Sequence, residues 1–191
     1  MKTGLFFGSF NPIHIGHLAI ANYIIEFSDL DELWLVLSPQ NPLKKKKTLL
    51  NEYERYKMVE LALRNNSKIK ACDIEFRLPK PSFTIDTLTY LNEKFPRNEF
   101  AIVLGADNFE NFHKWKNYKE ILDYYKLYVY PRPNYNMDSY KDHPNINLVN
   151  APLMEISSSF IRKSIKENKN VEFFLPDKVY SYINDMFFYK N

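Results

Sequence analysis

The sequence contains a single cysteine, Cys72. A lone thiol excludes an internal disulfide and a cysteine-built zinc site, so nothing in the chain signals an oxidising compartment, and Cys72 is expected in the core. Long hydrophobic runs are also missing. The apolar stretch near the start is cut short by Gly8, Asn11 and Pro12, too soon for the hydrophobic part of a signal peptide, and no later run approaches membrane-spanning length. The expectation is a soluble, cytoplasmic protein with no membrane partner. Charge of one sign is lacking too: the formal net charge is +3. That is too little to argue for a nucleic-acid partner, although a phosphate-binding enzyme needs only local positive charge. No acidic cluster suggests a magnesium cage built by the protein, and no metal ligands are expected among its residues.

Linkers, repeats and low-complexity tracts are absent as well, so residues 1–191 are expected to form a single domain with a substantial core. Hydrophobic residues make up 45% of the chain and are spread evenly, which excludes a disordered protein. Most of the 14 tyrosines and 15 phenylalanines fall at core-facing periods. Short apolar runs alternate with amphipathic stretches. Strands are expected at 4–7, 33–37, 68–72, 100–104, 127–130 and 146–149. Helices are expected at 16–27, 52–64, 84–94, from Ser158, and over a last segment where Val179, Tyr182, Ile183, Met186 and Phe187 repeat at helical spacing. Tyr56, Val59, Ala62 and Leu63 mark one face of the second helix, and Ile85, Leu88, Leu91 and Phe95 one face of the third. Strands separated by crossover helices imply an α/β fold, a doubly wound parallel sheet with helices on both faces. The run 131–144, rich in proline and asparagine, reads as an exposed loop.

One junction stands out. Leu5, Phe6 and Phe7 form an interior strand, Leu18, Ala21 and Ile25 recur at helical spacing, and between them lies Gly8-Ser9-Phe10-Asn11-Pro12-Ile13-His14-Ile15-Gly16-His17. A helix beginning near Gly16 presents unpaired N–H groups and the positive end of its dipole, a natural place for an anion. His14 and His17 can reach that anion from the side. The bland alternative is a pair of polar turn residues; a zinc site is disfavoured because no cysteine or third histidine lies near.

Three further blocks invite the same double reading. Ser157, Ser158 and Ser159 are good helix caps, and Arg162, about one turn into the helix, can fork onto an anion held by the same amides and hydroxyls. Gly105-Ala106-Asp107 follows an apolar strand and reads as a strand-end turn with Asp107 capping the next helix. Lys44 to Lys47 reads most simply as a solvated loop. In an open α/β sheet, blocks at the carboxyl ends of different strands converge on one edge.

Taken together, these residues resemble the HxGH nucleotidyltransferases, which move an AMP unit from ATP onto a phosphate. Pro81-Ser82-Phe83-Thr84-Ile85-Asp86-Thr87-Leu88, Gly105-Ala106-Asp107-Asn108-Phe109 and Trp115 are similar to segments of the nicotinate mononucleotide adenylyltransferases within that superfamily. The resemblance implies a Rossmann-like fold, ATP and nicotinate mononucleotide as substrates, deamido-NAD and pyrophosphate as products, and Mg²⁺ accompanying ATP. It implies that ATP meets Gly8, Ser9, Phe10, His14, His17, Gly105, Asp107, Ile156, Ser158, Ser159 and Arg162. The mononucleotide would meet Asn11, Thr84, Trp115, Lys116 and Arg132, with Trp115 stacked on the pyridine ring. His14, His17, Lys44 and Arg162 would carry catalysis. Two departures from the family pattern are Ser159, where threonine is usual, and Leu43, where a histidine usually precedes the loop lysine. Phosphopantetheine and nicotinamide mononucleotide are rival acceptors, a non-catalytic nucleotide or nucleic-acid-binding module is the alternative from another class, and homo-oligomerisation is left open.

Overall fold

Residues 1–39, 49–64, 66–135 and 142–190 are described by the computed structural model. The chain runs β1 (Lys2–Gly8), α1 (Ile15–Phe27), β2 (Glu32–Leu37), α2 (Glu52–Leu63), β3 (Ile69–Cys72), α3 (Thr84–Lys94), β4 (Glu99–Gly105), α4 (Ala106–Phe109), α5 (Tyr118–Tyr124), β5 (Lys126–Tyr130), β6 (Ile146–Leu148), α6 (Ser158–Lys166) and α7 (Asp177–Asp185). The strands form one six-stranded sheet in the order β3-β2-β1-β4-β5-β6, and every neighbouring pair is parallel. This is the doubly wound, Rossmann-like arrangement that the alternating apolar runs imply.

The period-two alternation of side chains sorts the strand residues between two cores. Phe6, Val103, Tyr128 and Tyr130 face one cluster with Ile20 and Ile24 of α1, Met58 of α2, Ile161 of α6 and Val179 of α7. Leu5, Ile102, Leu104, Leu127 and Val129 face the other, with Leu88 and Leu91 of α3 and Ile121 of α5. Burial on both faces explains why the central strands read as continuous apolar runs. Among the described residues no helix is long and apolar enough to cross a membrane.

Several local expectations are corrected. The helix expected after Asp107 is the four-residue α4, which already begins at Ala106, and the seven-residue α5 is too short for a helical period to show in the sequence. The last helix stops at Asp185: Phe187 turns to a φ of 53°, which breaks the helix and leaves Met186 and Phe187 47% and 69% exposed. In α2 the expected face packs on the first core, with Val59 fully buried and Tyr56, Ala62 and Leu63 partly so, and the inward face extends further to Arg55 and Met58, which are also fully buried. Cys72 is half-buried against the second core, and burial pushes its thiol up to about 11. The lysine run 44–47 lies outside the described residues, as does part of the 131–144 loop.

The order of strands creates a switch point. Successive crossovers lead from β1 to β2 on one side and from β3 to β4 on the other, so the connections diverge above β1 and β4 and open a crevice at their carboxyl ends.

Candidate active site

A cavity of about 720 Å³ occupies that crevice, a volume suited to a small-molecule ligand. Gly8, Ser9, Phe10, Asn11, His14 and His17 line it from the β1–α1 turn, Ile156, Ser158, Ser159 and Arg162 from the start of α6, and Asp107 and Arg132 from beyond β4 and β5. Thr84, Trp115 and Lys116 close the far side. Gly105 does not line the cavity. It acts one step back, since a Cβ there would lie 2.4 Å from Asp107 Oδ1 and force that carboxylate to move. Lys44 lies outside the described residues.

The β1–α1 turn is shaped by a buried ring. Phe10 adopts a φ of 41°, a left-handed conformation that costs a non-glycine residue about 1–3 kcal/mol unless its surroundings enforce it. They do so here: the Phe10 ring is 1% exposed and packs edge-on against Phe6 and His17. Gly8 makes room, because a Cβ there would come within 2.7 Å of that ring.

His14 occupies the N-cap of α1 in extended backbone and is 2% exposed. Its imidazole stacks on that of His17 with ring centroids 3.7 Å apart. Burial, and secondarily the nearby Arg132 guanidinium, lowers the His14 pKa to about 3, so the ring is neutral near pH 7. Its Nδ1 is buried with no hydrogen-bond partner among the described residues. Gly16 lies directly beneath, where a Cβ would stand 3.0 Å from that nitrogen.

The start of α6 is tied to this turn from across the sequence. Ser157 is the N-cap and accepts from Phe160 N at 3.2 Å, while the Ser158 hydroxyl donates to the Pro12 carbonyl at 2.8 Å. Arg162 Nη1 donates to the Asn11 carbonyl at 2.7 Å and Nη2 reaches Ser159 Oγ at 3.3 Å. Part of the guanidinium fork is therefore occupied in holding the turn, and the remaining N–H groups lie against the cavity that Arg162 lines.

On the opposite flank Asp107 does not cap α4, as its position after a strand suggested; the N-cap is Gly105. Asp107 Oδ1 lies 3.8 Å from Arg132 Nε, and both atoms are buried without a hydrogen-bond partner among the described residues. Arg132 is held by its other end, donating from Nη1 to the Met154 carbonyl at 2.8 Å and lying 5.3 Å above the Tyr130 ring. Two buried polar atoms left facing one another across such a gap make a site ready for a polar ligand group.

At the far side Trp115 is half-buried, its ring 5.4 Å from that of Phe112, with its remaining surface on the cavity. Thr84 opens α3, and Lys116 pairs with Asp86 at 2.9 Å while its ammonium lies 5.0 Å over the Phe83 ring. Residues not singled out in the sequence support this wall. Glu75, 3% exposed, accepts from Ser82 Oγ and Thr87 Oγ1, each at 2.9 Å, and burial pushes its carboxyl up. Arg55, fully buried, donates to the carbonyls of Ser9 at 2.6 Å and of Leu50, Ser38 and Pro39 at 2.9 Å each, fastening the turns that follow β1 and β2. The signal for Arg55 was present: it shares a helical stripe with Met58 and Val59, where a cation has no place unless it is fully hydrogen-bonded. Glu75 gave no comparable signal.

This combination of a doubly wound sheet and a histidine- and arginine-lined crevice has close parallels. The chain belongs to the cytidylyltransferase-like family, whose profile matches residues 5–164. Over its full length it is 53% identical to a protein of Flavobacterium johnsoniae and 50% identical to one of Cytophaga hutchinsonii, covering 100% of each, and both carry the name probable nicotinate-nucleotide adenylyltransferase. Among solved structures it is similar in fold to the nicotinic acid mononucleotide adenylyltransferase of Plasmodium falciparum complexed with NaAD. The TM-score is 0.84 at 23% identity, covering 98% of this chain and 97% of that one.

Proposed function

We propose that the chain is a nicotinate-nucleotide adenylyltransferase, joining the AMP unit of ATP to nicotinate mononucleotide with release of pyrophosphate. The observation that carries this reading is that one cavity gathers His14 and His17, Arg162 at a serine-capped helix start, and Thr84 with Trp115, in a chain half identical along its whole length to proteins of that name.

The 5′-phosphate of the mononucleotide attacks the α-phosphorus of ATP; a new P–O bond forms as the bond to the β-phosphate oxygen breaks, and pyrophosphate leaves with the electron pair. The attacking oxygen is already anionic, so no protein nucleophile or general base is needed. What the chain supplies is alignment and neutralisation of the charge that builds on the equatorial oxygens. His14, neutral and stacked in place, donates an N–H to the α-phosphate. His17 and Arg162 hold the triphosphate, and Lys44 takes part with them. Gly8, Ser9, Phe10, Ile156, Ser158 and Ser159 shape the ATP side, where the unpartnered Asp107 Oδ1 suits a ribose hydroxyl. Asn11, Lys116 and Arg132 contact the mononucleotide, whose pyridine ring stacks on Trp115 beside Thr84. Among the described residues no group of three or more histidine, cysteine or carboxylate side chains is placed to hold a metal ion. Mg²⁺ would arrive with the triphosphate and would supply charge neutralisation there.

The purified protein, given ATP and Mg²⁺ with nicotinate mononucleotide, nicotinamide mononucleotide or phosphopantetheine in turn, is expected to release pyrophosphate fastest with the first. Turnover only with phosphopantetheine would move the protein to another branch of the family; no turnover with any acceptor would leave a nucleotide-binding module.

A further inference from the structure

The last turn of the chain reaches a residue that lines the cavity. After α7 the backbone closes through Met186 N to Tyr182 O at 3.1 Å, Phe187 N to Asn184 O at 3.2 Å and Phe188 N to Ile183 O at 3.0 Å. Phe187 and Tyr189 both take left-handed conformations, with φ of 53° and 66°. Non-glycine residues hold such conformations only where the surrounding structure enforces them. The enforcement comes from rings: Phe188 lies edge-on to Tyr182 and to Tyr189, and all three pack against the first core.

This double turn delivers the Tyr189 hydroxyl to Asn11 Oδ1 at 2.8 Å, a contact spanning 178 positions of sequence. The same oxygen accepts from Leu50 N at 3.4 Å, and the carbonyl of Asn11 accepts from Arg162 Nη1. Asn11 is 3% exposed and lines the cavity two residues before the Ile13-His14 step into α1. It is thus a knot joining the phosphate-binding turn, the segment that returns to α2, the α6 arginine and the end of the chain. Burial raises the Tyr189 phenol against the opposing pull of Arg162 and Arg55, so the group stays protonated and donates. A donor at this place fixes the Asn11 amide with its Oδ1 toward Tyr189 and Leu50.

We propose that Tyr189 is a positioning residue for the transfer reaction, acting through Asn11 to hold the turn before His14, and through the Asn11 carbonyl the Arg162 guanidinium, in register with the α-phosphate. The proposal rests on the adenylyltransferase reading. Its alternative is that Tyr189 only seals the core beneath the site.

Tyr189→Phe separates the two, because it keeps the ring, its packing and the backbone turn, and removes one hydroxyl. The expected result is a fall in kcat of about tenfold, with KM for ATP and for nicotinate mononucleotide each within about twofold of wild type, since sub-ångström misplacement of reacting groups is felt chiefly in turnover. Tyr182→Phe is the matched control. Its hydroxyl donates to Glu54 on α2, away from Asn11; it should share any small loss of thermal stability and keep wild-type kcat. Because Tyr189 acts through Asn11, adding Tyr189→Phe to Asn11→Ala should cost no further turnover. Wild-type kcat in Tyr189→Phe, a kcat loss equal to that of Tyr182→Phe, additivity in the double variant, or a Tyr189→Phe protein that does not fold would each overturn the proposal. Wild-type protein that is inactive with the mononucleotide would instead overturn the reading beneath it.

Discussion

The imidazoles of His14 and His17 lie face to face at 3.7 Å, and the backbone N–H of His14 donates to Nδ1 of His17 at 3.3 Å. That bond requires His17 Nδ1 to be unprotonated, so the neutral His17 ring carries its proton on Nε2. Two stacked rings so close resist a shared double charge, and His14 meets that demand by being held neutral through burial and the Arg132 guanidinium. The pair works as a rigid unit of donors and acceptors.

His14→Ala is expected to lower kcat by about 10²–10³, the usual loss when one preorganised transition-state donor is removed. The dissociation constant for ATP, read by calorimetry, should change much less. Near-normal turnover would remove His14 from the mechanism.

The buried neutral state of His14 also sets a pH dependence of stability. Its pKa in the folded chain is about 3, against about 6.5 unfolded, so between these values the unfolded state binds the extra proton. The contribution is fully present above pH 6.5 and is lost as pH falls toward 3, with a slope of up to about 1.4 kcal/mol per pH unit. In urea titrations from pH 7 to pH 5, wild type should lose stability relative to His14→Gln. Parallel curves for the two proteins would show that His14 titrates normally.

Arg55→Ala should be among the most destabilising single changes. It strips the guanidinium donors from four carbonyls, those of Ser9, Ser38, Pro39 and Leu50. A loss of about 3 kcal/mol or more is expected from unsatisfied buried acceptors, and Arg55→Lys should recover little because an ammonium cannot span them. A shift in the denaturation midpoint worth under about 1 kcal/mol would show that water replaces the guanidinium.

Arg162→Ala should raise KM for ATP more than KM for nicotinate mononucleotide, and lysine should rescue only in part. A point charge can meet a phosphate but cannot also hold the Asn11 carbonyl and Ser159 Oγ. Equal loss for both substrates would assign Arg162 to holding the turn alone.

Trp115→Ala should raise KM for the mononucleotide and leave that for ATP near wild type; ring stacking contributes about 0.5–1.5 kcal/mol beyond buried area. Wild type should prefer nicotinate over nicotinamide mononucleotide in kcat/KM, because Thr84 and nearby backbone N–H groups are donors suited to a carboxylate. Equal use of acid and amide would sink the specificity claim and spare the transferase claim. An unfolded Trp115→Ala would make the residue a core aromatic.

Local chemistry determined much of this protein from the sequence. Apolar runs of four to seven residues separated by amphipathic helices specify a parallel sheet, because residues buried on both faces leave no alternation to read. The Gly8 to His17 turn and Gly105-Asp107 were legible because each joins a strand end to a helix start, and the serine cap before Arg162 because serine is favoured at a helix start. What only the tertiary structure decided are contacts between residues far apart in the chain. Whether His14 is charged depends on how deeply it is covered and on Arg132, 118 positions away. That Asp107 faces Arg132 and caps nothing, that Arg55 fastens two turns from within α2, and that Tyr189 returns to Asn11 follow from the crevice between β1 and β4. Periodicity reports which face of an element is apolar; it carries no information on which buried polar groups meet, since that depends on the packing of whole elements.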